Sequence, residues 1–136
     1  MSALARIGDP AAIEAVFRTI ETERYEWPRR AAVSAAGEIL PNVDPEERSK
    51  LLRRLADHLA EETAVQVRCH GRLAIAKAGS GWVDAEPILA KAYRESTGPE
   101  RSFAALALGL FARAAGPDPF EHPPEGVRHR LADLLL

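Results

Sequence analysis

Three stretches share one short pattern: RRAAVSAAG at 29–37, RCHGRLAIA at 68–76 and RSFAALALG at 101–109. Each begins with Arg and has Ala or Gly three residues on, Ala six on, and Gly or Ala eight on. The starts lie 39 and 33 residues apart, within the period range of stacked helical hairpins. Small residues at fixed places let helices approach closely, so the pattern predicts an all-α chain of stacked hairpins.

Proline and apolar periodicity mark the expected helices. Asp9-Pro10 and Asp44-Pro45 each read as an N-cap followed by the first helical residue, and Thr63 is a further candidate cap. No segment alternates long enough to predict a strand. The predicted helices span about 10–23, 29–40, 44–60, 63–78, 84–95 and 97–115. One domain is expected, with a partial repeat at 1–8, hairpins at 9–40, 44–79 and 82–116, and a closing segment at 117–136 that ends in a short helix.

Composition narrows the function classes. The formal net charge is −2 and both halves of the chain are near balance, which argues against nucleic acid because phosphate binding needs a concentrated positive face. The single cysteine, Cys69, fits a reducing compartment. The N-terminus does not read as a signal peptide, and no apolar stretch approaches the roughly 20 residues that span a bilayer. We therefore expect a cytoplasmic protein without membrane contact.

The sequence offers no evident catalytic or metal-binding constellation. No two of its four histidines are four residues apart, and Cys-x-x-Cys is absent. Cys69 and His70 are neighbours, but adjacent residues of a helix point about 100° apart and pair poorly. We expect no catalytic residue, no metal and no cofactor. Trp27 and Trp82, each at the start of a hairpin element, are expected to pack loops against the core; stacking on a partner is the alternative for either.

The segments ALARIGDPAAIEAVFRTI (3–20) and RRAAVSAAGEIL (29–40) resemble the HEAT-repeat family, most closely its short bacterial, phycobilisome-lyase-like type. The resemblance covers residues 3–116, with Gly71 and Arg72 replacing apolar residues of the pattern. It implies a right-handed α-solenoid of about three HEAT-like hairpins with a C-terminal capping helix. Most members of this family are scaffolds for protein partners.

In this family the second helix of each hairpin lines the concave face, which gives a set of candidate partner-binding residues. All of them except Leu73 are expected to be more exposed than a set of small and apolar residues that should lie between hairpins. The row on the third hairpin is wholly apolar and is expected to be covered by the closing helix. The candidates are Arg30, Ser34, Glu38, His70, Leu73 and Lys77; the buried set is Ala32, Ala35, Ala36, Ala74 and Ile75; the apolar row is Phe103, Leu106 and Leu110; and the closing helix carries Val127, Leu131, Leu134 and Leu135.

Two further features concern contacts between hairpins. Leu4 and Ile7 belong to a partial repeat, which predicts an open N-terminal edge that could bind another chain, a second copy or a missing upstream region. The repeated Arg29, Arg68 and Arg101 are expected to bond carbonyls or acidic side chains of the adjacent hairpin. A row of arginines that reads a ligand is the alternative.

These observations predict a non-enzymatic scaffold that binds a protein partner through its concave face or its open edge. Two alternatives stay open. A bilin-lyase-like enzyme subunit would need an apolar groove and would bind pigment. A nucleic-acid-binding HEAT-like protein would need a basic concave track, and its binding would depend on salt.

Overall fold

The structure, a computed structural model, describes residues 9–115 and is all-helical over that range. Six α-helices are present there, with no strand. None of these helices has the length and apolarity needed to cross a membrane. Each bound lies within three residues of its predicted position. The helices are α1 (Pro10–Thr22), α2 (Glu26–Ile39), α3 (Pro45–Glu61), α4 (Val65–Ala78), α5 (Ala85–Glu95) and α6 (Gly98–Ala115), and a 3₁₀ turn, Leu40–Asn42, follows α2.

The predicted caps are found in part. The Asp9 carboxylate accepts a hydrogen bond of 3.0 Å from the Ala11 N–H, as an N-cap should. Asp44 precedes α3, but its side chain makes no capping bond, so that part of the prediction is wrong. The Thr63 cap is also wrong: Ala64 is the N-cap of α4, and its N–H donates to the Glu62 carboxylate instead (3.0 Å).

The second helix of each pair, α2, α4 and α6, lies beside the second helix of the next pair. Each also packs against its own first helix, α1, α3 or α5. The first helices bury one apolar stripe each, as their periodicity predicts. These stripes are Ile13, Val16, Phe17 and Ile20 on α1, and Leu51, Leu52, Leu55 and Leu59 on α3.

Small residues bring the second helices together. All five residues expected between hairpins are buried, from 0% to 7% exposed. A Cβ added to Gly37 would lie 2.9 Å from the Ala74 Cα, so the backbones of α2 and α4 approach closely there. Gly71, a departure from the HEAT-family pattern, faces the Leu59 side chain, which would have to shift to admit a larger residue.

The glycine-rich segment 79–81 forms a turn between α4 and α5, as predicted. Gly81 has φ +85°, a conformation that costs glycine little. Several other predictions fall on residues 1–8 and 116–136, outside the described residues. They are the open edge at Leu4 and Ile7 and the closing helix with Val127, Leu131, Leu134 and Leu135.

Candidate interaction surface

The outward sides of α2, α4 and α6 form one continuous surface, which we call the second-helix face. Because residues three, four and seven apart share a side of a helix, Trp27, Ser34 and Glu38 lie in one row on α2. The rows of α4 and α6 follow in the same register. The face comprises Trp27, Arg30, Ser34, Glu38, His70, Leu73, Lys77, Phe103, Leu106 and Leu110.

The five candidate residues whose exposure the sequence predicts are more exposed than the set expected between hairpins. Arg30, Ser34, Glu38 and Lys77 are exposed, while His70 and Leu73 are half-buried. The helix register on which the candidates depend is therefore correct. Their role in binding a partner stays a prediction.

His70 occupies the centre of this face. Its ring centroid lies 5.8 Å from that of Phe103, with the planes tilted by 54°, so the two rings join α4 to α6. Burial lowers the pKa of His70, and the positive charges of Arg30 and Lys77 lower it further. Both effects favour the neutral form of the imidazole. The centre of the face therefore combines the His70–Phe103 ring pair with the positive charges of Arg30 and Lys77.

Trp27 is 71% exposed, so the prediction that it packs a loop against the core is wrong. The reason is its place as the second residue of α2, in the same outward row as Ser34 and Glu38. That spacing was the sequence signal that could have identified it. The same prediction is confirmed for Trp82, which is half-buried against the core. The guanidinium carbon of Arg53 lies over the Trp82 ring, 5.1 Å from the ring centroid.

Two of the repeated arginines make the predicted bonds, and we call each such unit an arginine rung. Arg29 donates from Nε and Nη2 to the two carboxylate oxygens of Glu62 (3.0 and 3.1 Å). Its Nη1 donates to the carbonyls of Glu23 and Arg24 (3.2 and 2.9 Å). Each rung thus ties the loop before a second helix to an acid of the next hairpin.

Arg68 repeats this geometry one hairpin later. Its Nε and Nη2 donate to Glu100 (2.8 and 3.2 Å), and its Nη1 donates to the carbonyls of Glu62 and Thr63 (both 3.0 Å). Arg72 also donates to Glu100 (2.8 Å), which explains why an arginine replaces an apolar residue there. Because these donors are used internally, Arg29 and Arg68 are structural and do not read a ligand.

Arg101 differs from the other two repeated arginines. It is exposed, and its guanidinium carbon lies 4.3 Å from the centroid of the Tyr93 ring. Within residues 9–115, no carboxylate lies within bonding distance of its nitrogens. The prediction of an acidic or carbonyl partner is therefore not met inside the described range.

A cleft of about 380 Å³ lies between α3 and α5, where the first helices stand apart over α4. Its floor is apolar, and its rim includes Arg53, Arg68 and Arg72. Those guanidinium groups are held by carboxylates: Arg68 and Arg72 by Glu100, and Arg53 by Asp84. The cleft therefore presents neutralised charge, which suits it poorly to binding an anion.

The described residues show little that supports catalysis. They contain no cluster of three or more metal-ligating side chains. Cys69 is buried, and burial, with a smaller effect of Glu100, raises the pKa of its thiol. The thiolate is the nucleophilic form of cysteine, so this shift disfavours a role in covalent catalysis.

Comparison with known proteins finds no matching family model, and no curated protein or solved structure is significantly similar to the chain.

Proposed function

We propose that the chain is a non-enzymatic protein-binding module: a right-handed α-solenoid of HEAT-like hairpins that binds a protein partner through the second-helix face. One observation carries the proposal. On a single continuous face, Trp27 is 71% and Leu106 is 52% exposed. Exposed aromatic and apolar side chains grouped on one face are typical of protein interaction sites.

The charges of the face indicate the chemistry of the partner. Arg30 and Lys77 both lie near enough to His70 for their charges to lower its pKa. Tryptophan and arginine are the residue types that most often dominate binding energy at interfaces. A complementary partner would place apolar side chains on Trp27 and Leu106 and an acidic group between them.

This composition fits a protein partner better than the alternatives. Nucleic-acid binding needs concentrated positive charge, whereas Glu38 lies exposed on the same face as Arg30 and Lys77. A lyase-like subunit would need an apolar groove for a pigment. The cleft between α3 and α5 has an apolar floor, but paired arginines and acids form its rim.

Differential capture from a lysate of the source organism tests the proposal. The full chain serves as bait, beside Trp27→Ala, Leu106→Ala and the control Val83→Ala. Val83 is 84% exposed in the loop between α4 and α5, away from the second-helix face. A partner recovered by the wild type and by Val83→Ala should be lost with both face variants. Partners that bind all four proteins equally would overturn the proposal.

A further inference from the structure

The two arginine rungs share a nearly constant separation along the chain. Arg29 bonds an acid 33 residues later, and Arg68 bonds an acid 32 residues later. The local settings of the two acids differ, since Glu62 follows α3 and Glu100 lies in the first turn of α6. What the two rungs share is therefore the number of residues between arginine and acid. That separation brings Glu62 to the start of α2 and Glu100 to the start of α4.

Helix α6 presents the first half of a third rung. Arg101 is the fourth residue of α6, as Arg29 is of α2 and Arg68 is of α4. In the row of α2 that faces α4 the arginine is half-buried and the other two residues are buried, whereas the equivalent row of α6 is exposed or half-buried. The row on α2 is Arg29, Val33 and Gly37, and the row on α6 is Arg101, Ala105 and Gly109.

The α6 row has room for another helix. A Cβ added to Gly109 meets no described atom within 4 Å, whereas one added to Gly37 would meet Ala74 at 2.9 Å. Small residues at this edge allow close approach, as they do between α2 and α4. Within residues 9–115, no acid bonds Arg101 and no apolar side chain covers Gly109.

We propose that residues 125–136 of this chain dock along this edge and that Asp133 accepts a bidentate hydrogen bond from Arg101. Asp133 lies 32 residues after Arg101, the separation of the second rung. The segment has two acidic residues, Glu125 and Asp133, and Asp133 is the one at this separation, with leucines at 131, 134, 135 and 136 around it. This assignment goes beyond the proposed function. It places the segment on the Arg101 row and leaves Leu106 free for a partner.

The segment of the same chain is favoured over a second copy. Covalent attachment gives it an effective concentration on the order of millimolar. In a second copy the equivalent acid would be Glu23, which lies six residues before Arg29 as Glu62 does before Arg68. Such a head-to-tail contact is heterologous, and unless its rotation closes a ring it leads to open filaments.

Limited trypsin digestion of the full chain tests the proposal, with cleavage after Arg128 and Arg130 reporting release of the segment. Asp133→Asn and Arg101→Gln should each speed this cleavage about fivefold, and the double variant no further. Asp133→Glu should keep the wild-type rate, because glutamate fills the other two rungs. Glu121→Gln and Glu23→Gln should also leave the rate unchanged.

An NMR signal gives a second readout that does not depend on proteolysis. The Arg101 Nε–H should exchange slowly in the wild type and rapidly in Asp133→Asn. Unchanged cleavage and exchange in Asp133→Asn would overturn the proposal. It would also be overturned if the double variant were cleaved faster than either single variant by the product of their separate effects. Faster cleavage in Glu23→Gln, or loss of protection on dilution, would assign the acid to a second copy and would overturn it too.

Discussion

Arg29 and Glu62, 33 residues apart, form the most enclosed ion pair among the described residues, with side chains 15% and 4% exposed. The guanidinium group binds both carboxylate oxygens and two carbonyls before α2. The carboxylate also contacts His58 Nε2 (3.1 Å) and accepts from the Ala64 N–H. One pair thus connects the end of α1, the start of α2, the end of α3 and the start of α4.

Removing the Glu62 charge should destabilise the fold. Glu62→Gln leaves Arg29 enclosed without its counter-charge, and breaking a buried pair in this way costs roughly 3 kcal/mol. Urea unfolding followed by circular dichroism measures the loss. Glu61→Gln is the matched control, because Glu61 is the neighbouring residue and is exposed. Equal unfolding midpoints for the two variants would contradict the structural role of the rung.

The same pair predicts how stability depends on pH. Burial acts to raise the pKa of Glu62, but hydrogen bonds from Arg29, the Ala64 N–H and His58 outweigh it and hold the pKa at about 2, below the ordinary 4.5. A carboxyl with a depressed pKa stabilises the fold above its unfolded pKa and loses that contribution as the pH falls. The advantage of wild type over Glu62→Gln should therefore shrink by roughly 3 kcal/mol between pH 5 and pH 2. A pH-independent difference would contradict the assignment.

The contact between Gly37 and Ala74 predicts an unusual response to alanine. Glycine to alanine inside a helix ordinarily gains about 1 kcal/mol. At Gly37 the added Cβ would lie 2.9 Å from the Ala74 Cα and 3.0 Å from its Cβ, so α2 and α4 must separate. We expect a net loss of about 1–2 kcal/mol in thermal unfolding.

Two further variants test the cause of that loss. Ser34→Ala, on the exposed side of the same helix, should be neutral within about 0.5 kcal/mol. Ala74→Gly should recover part of the stability when combined with Gly37→Ala, because it removes one of the clashing atoms. Stabilisation by Gly37→Ala alone would show that the helices are farther apart than described.

Helix positions could be predicted from the sequence because proline, caps and apolar periodicity are local signals. The repeated arginines also predicted a bond to the next hairpin, but the acids could not be named. Glu62 and Glu100 occupy different places relative to their helices, and only the packing of α2, α4 and α6 brings them to Arg29 and Arg68. The exposure of Trp27 was missed for a related reason: its surroundings depend on which side of α2 meets α1.

The two tryptophans should respond oppositely to truncation. Trp27→Ala should change the free energy of unfolding by less than about 0.5 kcal/mol, because the side chain is 71% exposed. Trp82→Ala should cost about 2 kcal/mol, since Trp82 is half-buried against the core and lies under Arg53. Iodide should accordingly quench the fluorescence of Trp82→Ala, which retains only Trp27, more strongly than that of Trp27→Ala. Equal quenching and equal stability of the two variants would show that Trp27 is packed in solution, and would remove the main apolar residue from the proposed partner-binding face.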